Sequence, residues 1–304
     1  MAKSVPSLET PEFKNPPTPS FYNAIEFPNH YGAGMLSPYG ELLLFTTQHL
    51  AATGQVDTTA MTEQLYEWAE SARSGRKDGA LKTFVENVKA GKTYPECGAD
   101  DSQAVCYMKV VPVTCLYAGK PELKQKVEQA IRVHQNNDDA VAFGVAAACI
   151  LERALLTGSM PDASFVESLD LDLQVKDAWK KASEFSELEL LMLQISHEKM
   201  KGKEGTPFYD LAGRSCAMPG AFIAPSFLFQ QARSSTFGKD AYAKALRANI
   251  LASGDTCSRA VLIGAVLAAA SGEVPQDWVD KVDKGTMDQV DALANKIADL
   301  VGAE

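Results

Sequence analysis

The stretch GDTCSRAVLIGAVLAAASGEVPQDW, residues 254–278, decides how the rest of the chain is read. It opens with two hard oxygen donors, Asp255 and Ser258, and sets the thiol of Cys257 between them. Oxygen donors at this spacing suit a hard cation, and a neutral thiol does not. After Arg259, small and apolar residues run without charge or proline to Gly272, which reads as a helix stopped by that glycine. The spacing from Gly264 to Gly272 reads as close helix packing rather than a phosphate loop. No strand precedes it, and neither a GxGxxG nor a Walker pattern is present.

Outward from this stretch the text is helical almost throughout. ELLLFTTQHLAATG (41–54) predicts an apolar helix ending at Gly54. Thr58 or Thr59 would cap AMTEQLYEWAESARSG, with Leu65 and Trp68 on one face. GALKTFVENVKAG turns Phe84, Val85 and Val88 inward, and PELKQKVEQAIRVHQ carries Pro121 in its first turn. DDAVAFGVAAACILERALLTG is long, Ala-rich and apolar, as the middle of a bundle should be. SFVESLDLDLQVKDAWKKASEFSELELLMLQISHEKMKG, AFIAPSFLFQQARSS and DAYAKALRANILASG add further helices. No alternating run long enough for a sheet interrupts them, and no short-period repeat shows. The expectation is an all-α fold, one compact multi-helix domain over residues 31–304. Before it, residues 1–30 hold Pro6, Pro11, Pro16, Pro17, Pro19 and Pro28, which make a proline-rich arm. Phe13, Phe21, Tyr22 and Phe27 would anchor that arm on the body or on a neighbour; a disordered tail is the other reading.

Composition narrows the function classes. In a chain of 304 residues, 46% hydrophobic, a sizeable core is expected. Its 29 Lys+Arg against 39 Asp+Glu give a formal charge of -10, which repels phosphate backbones and argues against nucleic-acid binding. Six cysteines form no CxxC pair, and His30, His49, His134 and His197 are far apart, so zinc is poorly supported. Cys149, inside GVAAACILERALL, reads as a small buried hydrophobe, which fits a reducing, intracellular (cytoplasmic) setting. The N-terminus lacks the apolar core of a signal peptide, and no uninterrupted apolar run predicts membrane insertion.

Residues 253–278 resemble the C-terminal signature of the ADP-ribosylglycohydrolase fold family: G-G-D-T-D-[ST]-x-A, a small-residue helix, then I-P-x-x-W. Three further segments agree and occur in the family's order. MKVVPVTCLYAG (108–119) is similar to its M-R-x-x-P-L segment, with Met108, Lys109 and Pro112 in place. VHQNNDDAVAFGVAAACILERALLTG (133–158) is similar to its T-H segment, with His134 at the histidine. SPYGELLLFTTQHLAATGQVD (37–57) aligns without a gap to its first metal-binding helix, which begins T-D-D-T. The resemblance covers residues 30–280, and the phrases SPYGE, GADDSQ and YAGKPE are closest in flavour to the branch of the J1-crystallins and selenoprotein J.

The resemblance implies a site at which the T-D-D and D-x-D-[ST] motifs hold two Mg²⁺ ions that position water and ribose for cleavage at the anomeric carbon. Carried over by position, the early Thr is Ser37, its two aspartates are Pro38 and Tyr39, and the second late aspartate is Cys257. Asp255 and Ser258 remain. The binuclear centre is therefore expected to be lost, with no cofactor implied unless Mg²⁺ is held by a rebuilt set of Asp255, Glu41 and Asp101. Asp100-Asp101-Ser102 reads equally as a capped helix start with solvated acids. Met108, Lys109, His134 and Ser258 are the candidate ligand-binding residues for an ADP-ribose-like molecule. Tyr39, Phe143 and Trp278 could stack on an adenine or belong to the core. Cys257, at a helix N-terminus two residues before Arg259, is a candidate reactive thiol or a small side chain filling an aspartate's space. Three function classes follow: a catalytically degenerate structural or binding protein, a hydrolase with a rebuilt centre, and a thiol redox protein. The partner expectation is self-association or a larger assembly.

Overall fold

A computed structural model of the protein describes residues 34–71, 76–184, 215–233, 240–252 and 254–302. Among these residues regular structure is helical, thirteen α-helices and one 3-10 turn, with two isolated bridges, Ala99 to Gln135 and Gln103 to Ala217. The proline-rich arm and residues 185–214 of the middle segment lie outside the described residues.

Helix α1 (Pro38–Thr53) starts where the backbone finds its caps. The Ser37 hydroxyl accepts from Gly40 N at 3.1 Å, Pro38 supplies a preset φ, and Gly54 closes the helix at φ 69°. Helix α2 (Thr58–Glu70) is capped by Asp57, not by Thr58 or Thr59. Asp57 Oδ1 accepts from Ala60 N at 3.0 Å, and both threonines fall inside the first turn. Leu65 is buried, while Trp68 is half-buried against Phe45 at 5.6 Å. Helix α3 (Gly79–Lys89) buries Phe84 and Val85 and covers part of Val88.

The 3-10 turn Ala104–Cys106 leads into α4 (Tyr107–Tyr117). Helix α5 (Leu123–Arg132) begins after Pro121 rather than around it, because Leu123 N turns back to Lys120 O at 3.2 Å and leaves the proline in a preceding turn. Helix α6 (Asp138–Thr157), capped by Asn137 and ended by Gly158, packs on α4, α5 and the later helices α8 (Leu173–Ser183) and α11 (Thr256–Ser271). By length and composition alone α6 could cross a bilayer, which the demand for an unbroken apolar run overlooks; its apolar window is 56% buried, as the central helix of this bundle. Its buried alanines, 140, 146, 147, 148 and 154, keep neighbouring axes close.

Around α4, α6 and α11 the remaining helices close the bundle. These are α7 (Ala163–Ser168), α9 (Gly220–Arg233), α10 (Ala241–Ala252), α12 (Gln276–Val279) and α13 (Lys284–Gly302). The last packs on α1 and α4. What matters for the site is that α1 and α11, far apart in sequence, bring their N-termini together.

Candidate functional site

Asp255 is the N-cap of α11, and its position follows from ordinary capping. Its Oδ1 accepts from Ser258 N at 3.4 Å and its Oδ2 from the Ser258 hydroxyl at 2.8 Å. A third donor comes from the start of α1: the Tyr39 hydroxyl donates to Asp255 Oδ2 at 3.0 Å, across 216 residues of sequence. Tyr39 is buried and Asp255 half-buried, so this bond is partly shielded from solvent and its loss would leave the carboxylate one partner fewer. Asn249 on α10 secures the same end of α11: its Nδ2 donates to Thr256 O at 2.8 Å and its Oδ1 accepts from buried Arg259 Nε at 2.9 Å.

Beside this junction lies a cavity of about 480 Å³ lined by Tyr39, Arg76, Asp78, Gln103, Cys216 and Asp255, with Gly79, Ser215 and Gly254. Asp78 caps α3 by accepting from Leu81 N at 2.9 Å. Burial pushes its carboxyl above the ordinary range, against the downward pull of the Leu81 amide and the Lys109 charge. The Cys216 thiol is pushed up to about 11, first by burial and then by Asp255, Asp101 and Asp78. It is therefore a protonated donor at neutral pH and gives its hydrogen to Gln103 Oε1 at 2.6 Å. The wall is acidic on balance, with Arg76 as its cation.

The loop carrying Asp101 is held from behind by the segment 134–137. Ala99 N donates to His134 O at 2.9 Å, and Gln135 Nε2 donates to both Asp101 O and Gln103 O, at 2.9 and 2.8 Å. Asn137 Nδ2 reaches Asp100 Oδ1 at 2.7 Å while its Oδ1 caps α6. Asp101 accepts from Gln103 N and Gln103 Nε2, both at 2.8 Å. Its carboxylate organises the loop.

Beneath the wall sit groups that the fold has sealed off. Met108, Lys109, His134 and Ser258 are each 0% exposed, and none lines the cavity. Among the described residues, Lys109 Nζ and both ring nitrogens of His134 have no hydrogen-bond partner. Burial drops the Lys109 ammonium to about 7, partly opposed by Asp78, and holds His134 well below its usual value.

The other sequence candidates have settled positions. Ser37 is the cap of α1, and Glu41 is half-buried in that helix's first turn. Cys257 is half-buried in the first turn of α11. Phe143 packs on Phe222 at 5.3 Å and Trp278 meets Tyr242 edge-on at 5.9 Å, so both belong to the core. Among the described residues no three His, Cys, Asp or Glu side chains converge as a ligand set, and Asp255, Glu41 and Asp101 are not brought together as one. The donor set does not fit two Mg²⁺ ions: the positions that would supply carboxylates hold Pro38, Tyr39 and Cys257, and the remaining aspartate accepts from Tyr39 and Ser258. Sequence reasoning missed Arg76, Asp78, Gln103 and Cys216 as wall residues. The pair Asp78-Gly79 reads as a plain helix start, and nothing local to Cys216 announces a cavity.

The ADP-ribosylglycohydrolase family model matches residues 5–304. Crystallin J1A of Tripedalia cystophora is 30% identical over 192 residues, 62% of this chain and 52% of that protein. Crystallin J1B of the same animal is 25% identical over 191 residues, with the same coverage. The chain thus spans about half the length of the curated relatives it matches. A solved "ADP-ribosylglycohydrolase-related protein complex" superposes with a TM-score of 0.65 over 90% of this chain and 84% of that one, at 18% identity, a likeness of fold. Matched by the family model across nearly its whole length, the chain belongs to the ADP-ribosylglycohydrolase family.

Proposed function

We propose that this chain is a catalytically degenerate member of its family, similar to the J1 crystallins, with a structural or binding role in place of metal-dependent hydrolysis. One observation carries the reading. Asp255, the aspartate kept from the metal-binding pattern, takes hydrogen bonds from Tyr39 and Ser258 where a cation would need its lone pairs. A tyrosine at a ligand position has turned a charged binding point into a strut between α1 and α11.

The cavity supports a binding role alongside the structural one. At about 480 Å³ it is the size of an ordinary small-molecule site. Its acidic wall favours the hydroxyls of a ribose-like ligand over a phosphate, with Asp78 and Gln103 as hydrogen-bonding groups and Arg76 as the place for any negative charge. Steady-state hydrolysis of an ADP-ribosylated substrate, with and without Mg²⁺, tests the proposal. The expected result is no turnover above the uncatalysed rate. Magnesium-dependent turnover abolished by Asp255→Ala would replace the proposal with a rebuilt hydrolase.

A further inference from the structure

A groove of about 530 Å³ runs between α1, α4 and α13 and shares no residue with the Asp255 cavity. Leu43, Val111, Ile297 and Val301 line it, and among the described residues of its lining none carries a charge. The one hydroxyl among them, that of Thr47, is engaged within α1 by Leu43 O at 2.8 Å. Val301 leaves a large apolar side chain open to water at the rim, 38% exposed. Such a lining rewards an apolar, uncharged occupant. The chain that precedes α1 arrives at one end of this groove. Asp283 N, just before α13, donates to Gly34 O at 2.9 Å, and at the other end Leu300 lies 3.6 Å from where a Cβ on Gly54 would stand. Helices α1 and α13 therefore run side by side in the same direction, with Gly34 at their shared start. The α13 part of the groove, Ala294 to Gly302, lies about 16–29 Å further along at 1.5 Å per residue. An extended chain covers that distance in roughly five to nine residues.

Counted back from Gly34, those residues are Ile25, Glu26, Phe27, Pro28 and Asn29. Pro28 biases Phe27 toward an extended backbone, in which Ile25 and Phe27 share one side and Glu26 takes the other. We propose that this segment of the chain's own N-terminal arm covers the groove, with Ile25 and Phe27 seated against its apolar lining and Glu26 turned to solvent. The tether favours the arm over other occupants. It holds the segment near the groove at an effective concentration on the order of millimolar, whereas a second copy brings a formal charge of -10 to meet an equal one.

Cys115, on α4 and part of the groove's lining, reports the coverage. The full chain is alkylated with iodoacetamide at two protein concentrations, and modification is followed cysteine by cysteine by mass spectrometry. The expected result is that Cys115 reacts about tenfold or more faster in Phe27→Asp than in wild type, as the loss of one seated phenylalanine implies, at a rate independent of concentration in both. Cys106, fully buried, should stay equally slow in the two, which separates release of the arm from unfolding. Val301→Asp, at a position already open to water, should expose Cys115 from the groove's side and supplies the same comparison if Phe27→Asp fails to fold. Equal Cys115 rates in wild type and the folded variants would overturn the proposal. Protection of Cys115 that grows with protein concentration would overturn it in favour of a second copy.

Discussion

Tyr39 and Lys109 show what single residues do here. Tyr39 stands where the resemblance implies a carboxylate, and the hydrogen bond its hydroxyl donates to Asp255 ties two helix ends together. Tyr39→Phe should therefore destabilise the fold by about 0.5–1.5 kcal/mol, and Asp255→Ala, which also loses the cap of α11, by about 1–3 kcal/mol; urea unfolding checks both. Equal stability of all three proteins would mean that the strut contributes nothing. Lys109 is a buried amine without a hydrogen-bond partner among the described residues, and its folded value of about 7 lies below the ordinary 10.5 of the unfolded chain. Between those values the unfolded state binds more protons, so this residue's cost is full at pH 7 and below and fades as pH rises toward 10.5. Lys109→Met should stabilise the protein at pH 7 by on the order of a few kcal/mol, with the gain shrinking by pH 10. A gain independent of pH would show that packing, not charge, is the cause. His134 acts below that window: burial, and after it the Lys109 charge, depress its value, so stability is lost as pH falls below 6.5, and less so in Lys109→Met, which removes the second cause.

At the scale of elements, the places where segments nearly touch set the tolerances. Gly98 approaches the end of α5 so closely that an added Cβ would meet Arg132 O and Asn136 N, both at 2.7 Å. Gly144 on α6 would place a Cβ 2.3 Å from Ile131 Cδ1, the movable tip of a side chain. Gly98→Ala should thus cost about 2–3 kcal/mol or more in denaturant unfolding and Gly144→Ala less, since backbone cannot give way as a side chain can. The reverse order would contradict the packing described. Much of this level was legible beforehand: Gly54, Gly158 and Gly272 end their helices as their positions announce, with φ of 69°, 60° and 69°. The start of α2 was not, because Asp57 outcompetes the two following threonines for the cap. Nor does the sequence single out α13, where Ile297 is the buried residue and the apolar stripe is thin.

For the molecule as a whole, four segments in the right order were enough to indicate fold and family. Segments 37–57 and 253–278 hold the starts of α1 and α11, 133–158 holds the clamp HQNN behind the loop 98–103, and 108–119 is the buried α4. The cavity wall was less legible. Arg76, Asp78, Gln103 and Cys216 meet only after folding, and no spacing between them carries a period. The resemblance directed attention to Met108, Lys109 and His134, which lie sealed behind the wall. Positions that match a functional motif thus need not line the cavity beside it. The central claim, that Tyr39 has taken the cation's place at Asp255, is tested most directly by titrating ADP-ribose calorimetrically with and without Mg²⁺. The account predicts the same heat, whether finite or nil, in both titrations. Heat that appears only with Mg²⁺, and disappears in Asp255→Ala, would contradict it.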